Sequence, residues 1–233
     1  MFPADCDLTV IGRAIAEPAR AAMLQRMMDG QAHTAGALAA AARISPSAAS
    51  AHLRHLVEAN LVDVTPIGRR KLHALNSPEV AAAIEALAAI SPPQPVETLR
   101  EAHTGSRLQR ARICYSHLGG SLAVTLTDHL VVGGIVDPPE QGHHGTVHRL
   151  AHPLLAALGI TRLPVGSGPA VRGCLDWTER TPHLAGRLGS ALLTAMLAQR
   201  WLTRRPNDRA LTITETGSRR LTDLAIPVQS IRQ

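Results

Sequence analysis

Ser47, Ser50 and Arg54 stand three and four residues apart, a spacing that gathers their side chains on one face of a helix. Ala49, Leu53, Leu56 and Val57 recur at intervals of four, three and one and make the opposite, inward face. An outer face of small hydroxyls and one arginine has a definite chemistry. Nothing bulky keeps it out of a major groove, serine hydroxyls bond base edges or phosphates, and a guanidinium matches the paired acceptors of guanine or a phosphate. Ser45, Ala48 and His52 complete the candidate contact set on this helix. Shortly after it, Gly68-Arg69-Arg70-Lys71 puts three consecutive cations on a turn, able to straddle a phosphate backbone or enter a minor groove. Each feature alone is common on an ordinary helical domain with a solvated basic turn. Together, in this order, they point to sequence-specific reading of double-stranded DNA.

A second set of chemistry-bearing residues lies further along. Two of the four aromatic residues, Tyr115 and Trp177, flank two of the three cysteines, Cys114 and Cys174. Cys114 and His117 stand one helical turn apart, which suits a metal or an activated thiolate. If the two stretches pack face to face, Cys114, Tyr115, His117, Cys174 and Trp177 line one effector pocket for an electrophile, an oxidant or an apolar ligand. The alternative is that both cysteines are small core residues, as free cysteine commonly is. His143, His144, His148 and His152 would include a zinc face on a continuous helix, but Gly142, Gly145 and Pro153 interrupt it, so a loop is expected. No metal site and no cofactor is therefore assigned. No Ser/His/Asp or paired-carboxylate arrangement is evident, and Val131-Val132-Gly133-Gly134 lacks the context of a dinucleotide-binding turn. Enzyme activity is not expected.

The elements that position these residues can be read from caps and breaks. A helix from Ile11 ends near Glu17, and Pro18 starts the next, closed by Asp29-Gly30. Thr34 caps Ala35 to Ala42. Ser45 caps a helix from Pro46 to about Ala59, with Asn60 as its stop. Leu61 to Val64 and Lys71 to Leu75 alternate like two short strands, joined by a turn over Pro66 to Arg70. Another apolar helix covers Pro78 to Ile90. Helix, helix, turn, helix and hairpin in this order are the winged helix-turn-helix plan. The proline-rich stretch after Ile90 makes residues 92–96 a linker between a reader (1–91) and an effector or structural part (97–233). In the second part His117-Leu118-Gly119-Gly120-Ser121-Leu122 is echoed 66 residues later by His183-Leu184-Ala185-Gly186-Arg187-Leu188. Leu126, Leu130 and Ile135 match Leu192, Met196 and Trp201. Residues 108–160 and 174–226 thus read as two winged-helix-like units, each a helical stretch followed by a short hairpin. The fold class is mainly α with short β-hairpins. Glu97 to Arg112 connects the parts, and its Arg100, Arg107, Arg110 and Arg112 are candidates for phosphate contacts.

The 233-residue chain is nearly half apolar, which excludes disorder of the whole. Its net charge of +6 favours an anionic partner, yet residues 1–90 carry eight basic and eight acidic groups. The useful balance is local: Thr34 to Leu75 holds five basic groups against two acidic. Three sparse cysteines without a Cys-x-x-Cys pair are no disulfide framework and fit a reducing cytoplasm. No apolar run approaches a membrane span, and no membrane partner is expected.

Residues 9 to about 88 resemble the ArsR/SmtB winged-helix repressors. The resemblance is carried by Ile11-Gly12-Arg13-Ala14-Ile15-Ala16-Glu17-Pro18-Ala19-Arg20, by Leu38-Ala39, by Ile44-Ser45-Pro46-Ser47-Ala48-Ala49-Ser50-Ala51-His52-Leu53 and by Leu56-Val57-Glu58-Ala59-Asn60-Leu61-Val62. The stretches at Cys114 (Cys-Tyr-x-His-Leu-x-Gly) and Cys174 (Cys-Leu-Asp-Trp-Thr-Glu-Arg) resemble the C-terminal extension of a longer subgroup. The resemblance implies a homodimer, built on Asp7–Ala16 and Pro78–Ile90, that usually represses from a palindromic operator; the candidate pocket of the second part adds the expectation of release by a small-molecule or thiol-reactive effector. Metal-sensing members carry Cys-x-Cys before the recognition helix. Here Gln31-Ala32-His33-Thr34-Ala35-Gly36 stands in its place, so release by zinc, cadmium or arsenite through this domain is not expected. The different-class alternative is a winged-helix interaction module that does not bind DNA, a reading kept open by the neutrality of residues 1–90.

Overall fold

The computed structural model describes residues 6–92, 95 and 98–227. The chain divides into two compact units, Met1–Ile84 and Glu85–Gln233. Of the expected linker, residues 93, 94 and 96 lie outside the described residues.

The first unit begins with α1 (Leu8–Ile15), capped by Asp7, and α2 (Pro18–Met27), capped by Glu17 with Pro18 in the first turn. The Glu17 carboxylate accepts from the Ala19 and Arg20 amides, so the break expected at Glu17-Pro18 is a capping site. A short strand β1 (His33–Thr34) leads into α3 (Ala35–Ala42), whose N-cap is Thr34. Arg43 then takes a left-handed φ of 56°, and Ser45 caps α4 (Pro46–Glu58). Strands β2 (Val62–Ile67) and β3 (Arg70–Leu75) follow, then α5 (Pro78–Ile90). The sheet order is β1-β3-β2, all antiparallel. Met23, Met27, Leu38, Ala49, Leu53, Leu56, Val62 and Leu75 are buried in its core. Each fully buried leucine contributes about 1.5–3 kcal/mol, against about 1 kcal/mol for the Ser45 cap. Packing, more than propensity, therefore holds α4 in place.

The end of α2 is fastened by a buried carboxylate. Asp29 accepts from the Gln31 amide at 2.9 Å, faces His33 Nε2 at 2.9 Å and pairs with Arg26. Burial alone would raise its pKa. The bonds from His33, Gln31 and Arg26 outweigh that and hold the carboxyl below its ordinary value. A depressed carboxylate contributes stability above its unfolded pKa, lost as pH falls through the folded value. Asp29→Asn should therefore cost the first unit about 1.5–3 kcal/mol at neutral pH. In urea melts of the full chain followed by far-ultraviolet dichroism, that difference should shrink in acid. A difference unchanged by pH would show that the charge is not what stabilises.

The division falls within α5, after Ile84, and the second unit continues with α6 (Leu99–Arg110), whose N-terminus is a capping box between Thr98 and Glu101. A hairpin follows, β4 (Arg112–Cys114) with β5 (His117–Gly119), then α7 (Ser121–Val132). Next come β6 (His144–Gly145) and α8 (Pro153–Ala157). The hairpin β7 (Val171–Leu175) with β8 (Pro182–Ala185) precedes α9 (Gly186–Ala198). A last hairpin, β9 (Leu202–Arg204) with β10 (Leu211–Ile213), precedes α10 (Glu215–Asp223).

The internal echo is a structural one. Each copy runs hairpin, glycine, helix, and the glycines Gly120 and Gly186 both sit at positive φ, 92° and 76°. A Cβ on Gly120 would lie 2.5 Å from the Gln109 carbonyl oxygen, and one on Gly186 2.8 Å from that of Pro169, so only glycine passes at either turn. Leu122, Leu126, Leu130 and Ile135, with their counterparts Leu188, Leu192, Met196 and Trp201, share one hydrophobic core. The copies are interleaved: α7 lies on β8 and α9 on β5. Thr127 Oγ1 in α7 accepts from the Leu184 amide in β8 at 3.0 Å.

The hairpins expected after each helix differ in outcome. After α9 it is the β9–β10 pair; after α7 there is an isolated bridge, Val136 to Val147. The hairpins ahead of the helices were not anticipated: β4 and β5 have three residues each, too few to display alternation, and β7 and β8 have only five and four.

Candidate functional site

On α4 the two faces separate as their spacing requires. Ala49, Leu53 and Leu56 are buried, while Ser47, Ser50, Ala51 and Arg54 are exposed. Ser45 Oγ accepts from the Ala48 amide at 3.2 Å and lies 3.0 Å from Ser47 Oγ. Ser50 Oγ donates to the Pro46 carbonyl at 3.0 Å. With its proton so engaged, Ser50 presents lone pairs, which suit the amino groups of adenine or cytosine. His52 is half-buried and directed into the protein. Its Nδ1 lies 3.4 Å from Arg20 Nη1 and 3.7 Å from Glu17 Oε2, so it braces α4 against the start of α2.

The wing is longer than its alternation suggested. The strands pair from Val62–Leu75 out to Ile67–Arg70, leaving a two-residue turn of Gly68 and Arg69. Gly68 sits at φ 58° in its first central position, which tight hairpins require. Pro66 falls within β2, tolerated because β2 is an edge strand. Arg69, Arg70 and Lys71 are all exposed. Arg70 and Lys71 are neighbours in β3, so their side chains leave opposite faces of the ribbon.

In the second unit, four of the rare residues meet. Cys114 and His117 are paired across the two-residue turn of β4 and β5, not stacked along a helix. Cys174 and His183 are paired in the same way across β7 and β8. The hairpins bring Cys114 Sγ to 3.8 Å from Cys174 Sγ and His117 Nε2 to 3.1 Å from His183 Nε2. His183 belongs to this group, and its place in the echo of His117 was the signal for it. All four residues are buried. The neighbouring Cys174 thiol, and burial, push the Cys114 thiol far above its ordinary range.

Tyr115 occupies the hairpin turn at φ 58°, and the Trp177 ring lies under the Arg112 guanidinium, 4.8 Å away. Beside the cluster, Asp176 accepts from Arg112 Nη2 at 2.9 Å, the Gly120 amide at 2.6 Å and the Thr178 amide at 2.9 Å. Burial works to raise its pKa, but Arg112, Thr178, His183 and Gly120 hold it well below the usual carboxylate range. Arg112 is fully buried, which withdraws it from the candidate phosphate contacts.

The histidines near His148 share no helix: His144 lies in β6, paired with Arg172, and the others are outside the named strands and helices. His143 faces Glu140 at 3.0 Å, His148 faces Asp137 at 3.1 Å, and His152 caps α8. Among the described residues, no helix is long and apolar enough to cross a membrane.

Residues 15–65 match the family model described as a helix-turn-helix domain. The chain is 35% identical over 218 residues, 91% of its length and 93% of the relative's, to the "Uncharacterized HTH-type transcriptional regulator YdfF" of Bacillus subtilis (strain 168). Similar solved structures include the homodimeric winged helix-turn-helix DNA-binding domain Mb0332 of Mycobacterium bovis, a possible ArsR-family regulator. It is 21% identical over 38% of this chain and 89% of that one, with a TM-score of 0.34. The cadmium metal-sensor CMTR of Mycobacterium tuberculosis is 32% identical over 40% of this chain and 100% of that one, with a TM-score of 0.32.

Proposed function

Since the chain belongs to the family of HTH-type transcriptional regulators, as its ArsR/SmtB-like reader leads one to expect, we propose that it is a dimeric repressor on a palindromic operator. The observation that carries this reading is the exposed face of α4, with Ser47, Ser50 and Arg54 outward and the wing cations Arg69, Arg70 and Lys71 on the same unit. α4 enters the major groove. Ser47, Ser50 and Arg54 meet base edges, Ser45 and Ala48 at the helix start meet the backbone, and the wing meets phosphates. His52 supports the helix from behind. Leu8 on α1 is 76% exposed, an apolar side chain available to the partner protomer on the helix expected to dimerise. Release follows if an effector in the second unit has different affinities for the DNA-bound and free forms.

The test is capture of genomic fragments by the full chain, followed by binding to the enriched sequence. Arg54→Ala should cost about 1–3 kcal/mol and relax preference at one base position per half-site. If no sequence is enriched, the protein is an interaction module with a winged-helix fold.

A further inference from the structure

We propose that Cys114, His117, Cys174 and His183 form a closed four-coordinate zinc site that ties the β4–β5 hairpin to the β7–β8 hairpin. This replaces the expectation that the chain holds no metal. The four donor atoms lie within 4.8 Å of one another, and all four residues are buried. Zinc bonded to sulfur at about 2.3 Å and to nitrogen at about 2.0–2.1 Å gives a tetrahedron with a sulfur–sulfur edge of about 3.8 Å and a nitrogen–nitrogen edge of about 3.3 Å. The corresponding separations here are 3.8 Å and 3.1 Å.

The donor chemistry is selective. Two thiolates with two imidazoles suit a borderline-soft ion in tetrahedral geometry, whereas calcium and magnesium require oxygen ligands. The charge also balances. Binding releases the two thiol protons to solvent, and two thiolates cancel the dication, so the finished centre is neutral in a dry core. The outer contact is in place as well. His183 Nδ1 lies 3.4 Å from Asp176 Oδ2, buried and lacking a well-formed hydrogen bond. A metal on Nε2 leaves the ring proton on Nδ1, directed to this carboxylate, the arrangement by which carboxylates orient zinc-bound imidazoles. Four protein ligands leave no open position, so the ion fastens the two copies of the repeat.

The full chain, expressed with zinc in the medium and purified without chelator, should carry about one zinc per chain by mass spectrometry of the elements. Replacing zinc by cobalt(II) should give tetrahedral ligand-field bands with a charge-transfer band of two thiolates. Both results should persist in Cys6→Ser and disappear in Cys114→Ser/Cys174→Ser. Because the double variant could lose its fold, the cobalt spectrum of Cys6→Ser decides independently: its only thiols are Cys114 and Cys174. Zinc far below one per chain without that spectrum overturns the proposal. So does a Cys114–Cys174 disulfide in unreduced peptides of fresh protein, which would make the pair a redox couple.

Discussion

Asp176→Ala should destabilise the second unit by about 3–5 kcal/mol, because it strands a buried arginine. Arg112 has no exposed surface, and its charge-bearing partner is the Asp176 carboxylate. The same carboxylate takes the Gly120 amide at the turn into α7 and the Thr178 amide and hydroxyl in the loop before β8. Its removal therefore leaves one uncompensated charge and several unpaired donors in a core where water cannot replace them. Asp176→Asn keeps an acceptor but not the charge, and should fall between. Changing Arg112 to Met in the alanine variant should recover part of the loss, since an apolar pair is less costly than a lone charge. Trp177 and Trp201 are the only tryptophans and both lie in the second unit, so fluorescence-detected urea unfolding of the full chain reports this unit alone. A loss below about 1 kcal/mol would mean that the pair is as dispensable as a surface ion pair.

Replacing Arg69, Arg70 and Lys71 together by alanine should lower operator affinity roughly a hundredfold at physiological salt while leaving the fold intact. The salt dependence carries the sharper expectation. Three phosphate contacts would flatten the slope of log affinity against log salt by about three. Since Arg70 and Lys71 leave opposite faces of β3, only one of them can meet the backbone that Arg69 meets. The expected change is therefore about two, and one of the single variants Arg70→Ala and Lys71→Ala should be nearly silent. Filter binding or anisotropy over a salt series gives the slope. An unchanged slope would remove the wing from the interface.

Most of the first unit was legible, because its signals are local; the two-residue strand β1 and the start of α1 at Leu8 were not. Glu17-Pro18, Thr34, Ser45-Pro46 and Asn60 each mark a boundary through cap chemistry or backbone restriction, and the faces of α4 follow from 3.6-residue periodicity. What misled was Pro66, which resembles a turn residue but is accommodated on an edge strand. In the second unit the echo of His117 by His183 was visible, while the hairpins carrying both were not. The three-residue strands β4 and β5 leave no pattern, and their Cys-x-x-His spacing fits a helical turn as well as a two-residue hairpin; β7 and β8, at five and four residues, are little longer. The meeting of Cys114 with Cys174 is a tertiary fact, fixed by packing between segments 60 residues apart. His52 lies on the recognition helix, but its orientation toward Glu17 and Arg20 depends on how α4 packs on α2, which periodicity does not encode.

The spacing of the two hairpins also sets an order of events during synthesis. Leu75, the last residue of the first unit's sheet, precedes His183 by 108 residues, and at about 5–20 residues per second that interval lasts roughly 5–20 s. A ribosome-bound chain can thus present a finished reader while Cys114 and His117 sit in a hairpin whose counterpart is still unmade. Hairpins close in microseconds, but joining these two must await translation. Nascent chains therefore spend seconds with a DNA-reading domain in place and a thiol–imidazole pair exposed, a window in which pairing with another nascent copy and oxidation of Cys114 compete with completion of the fold.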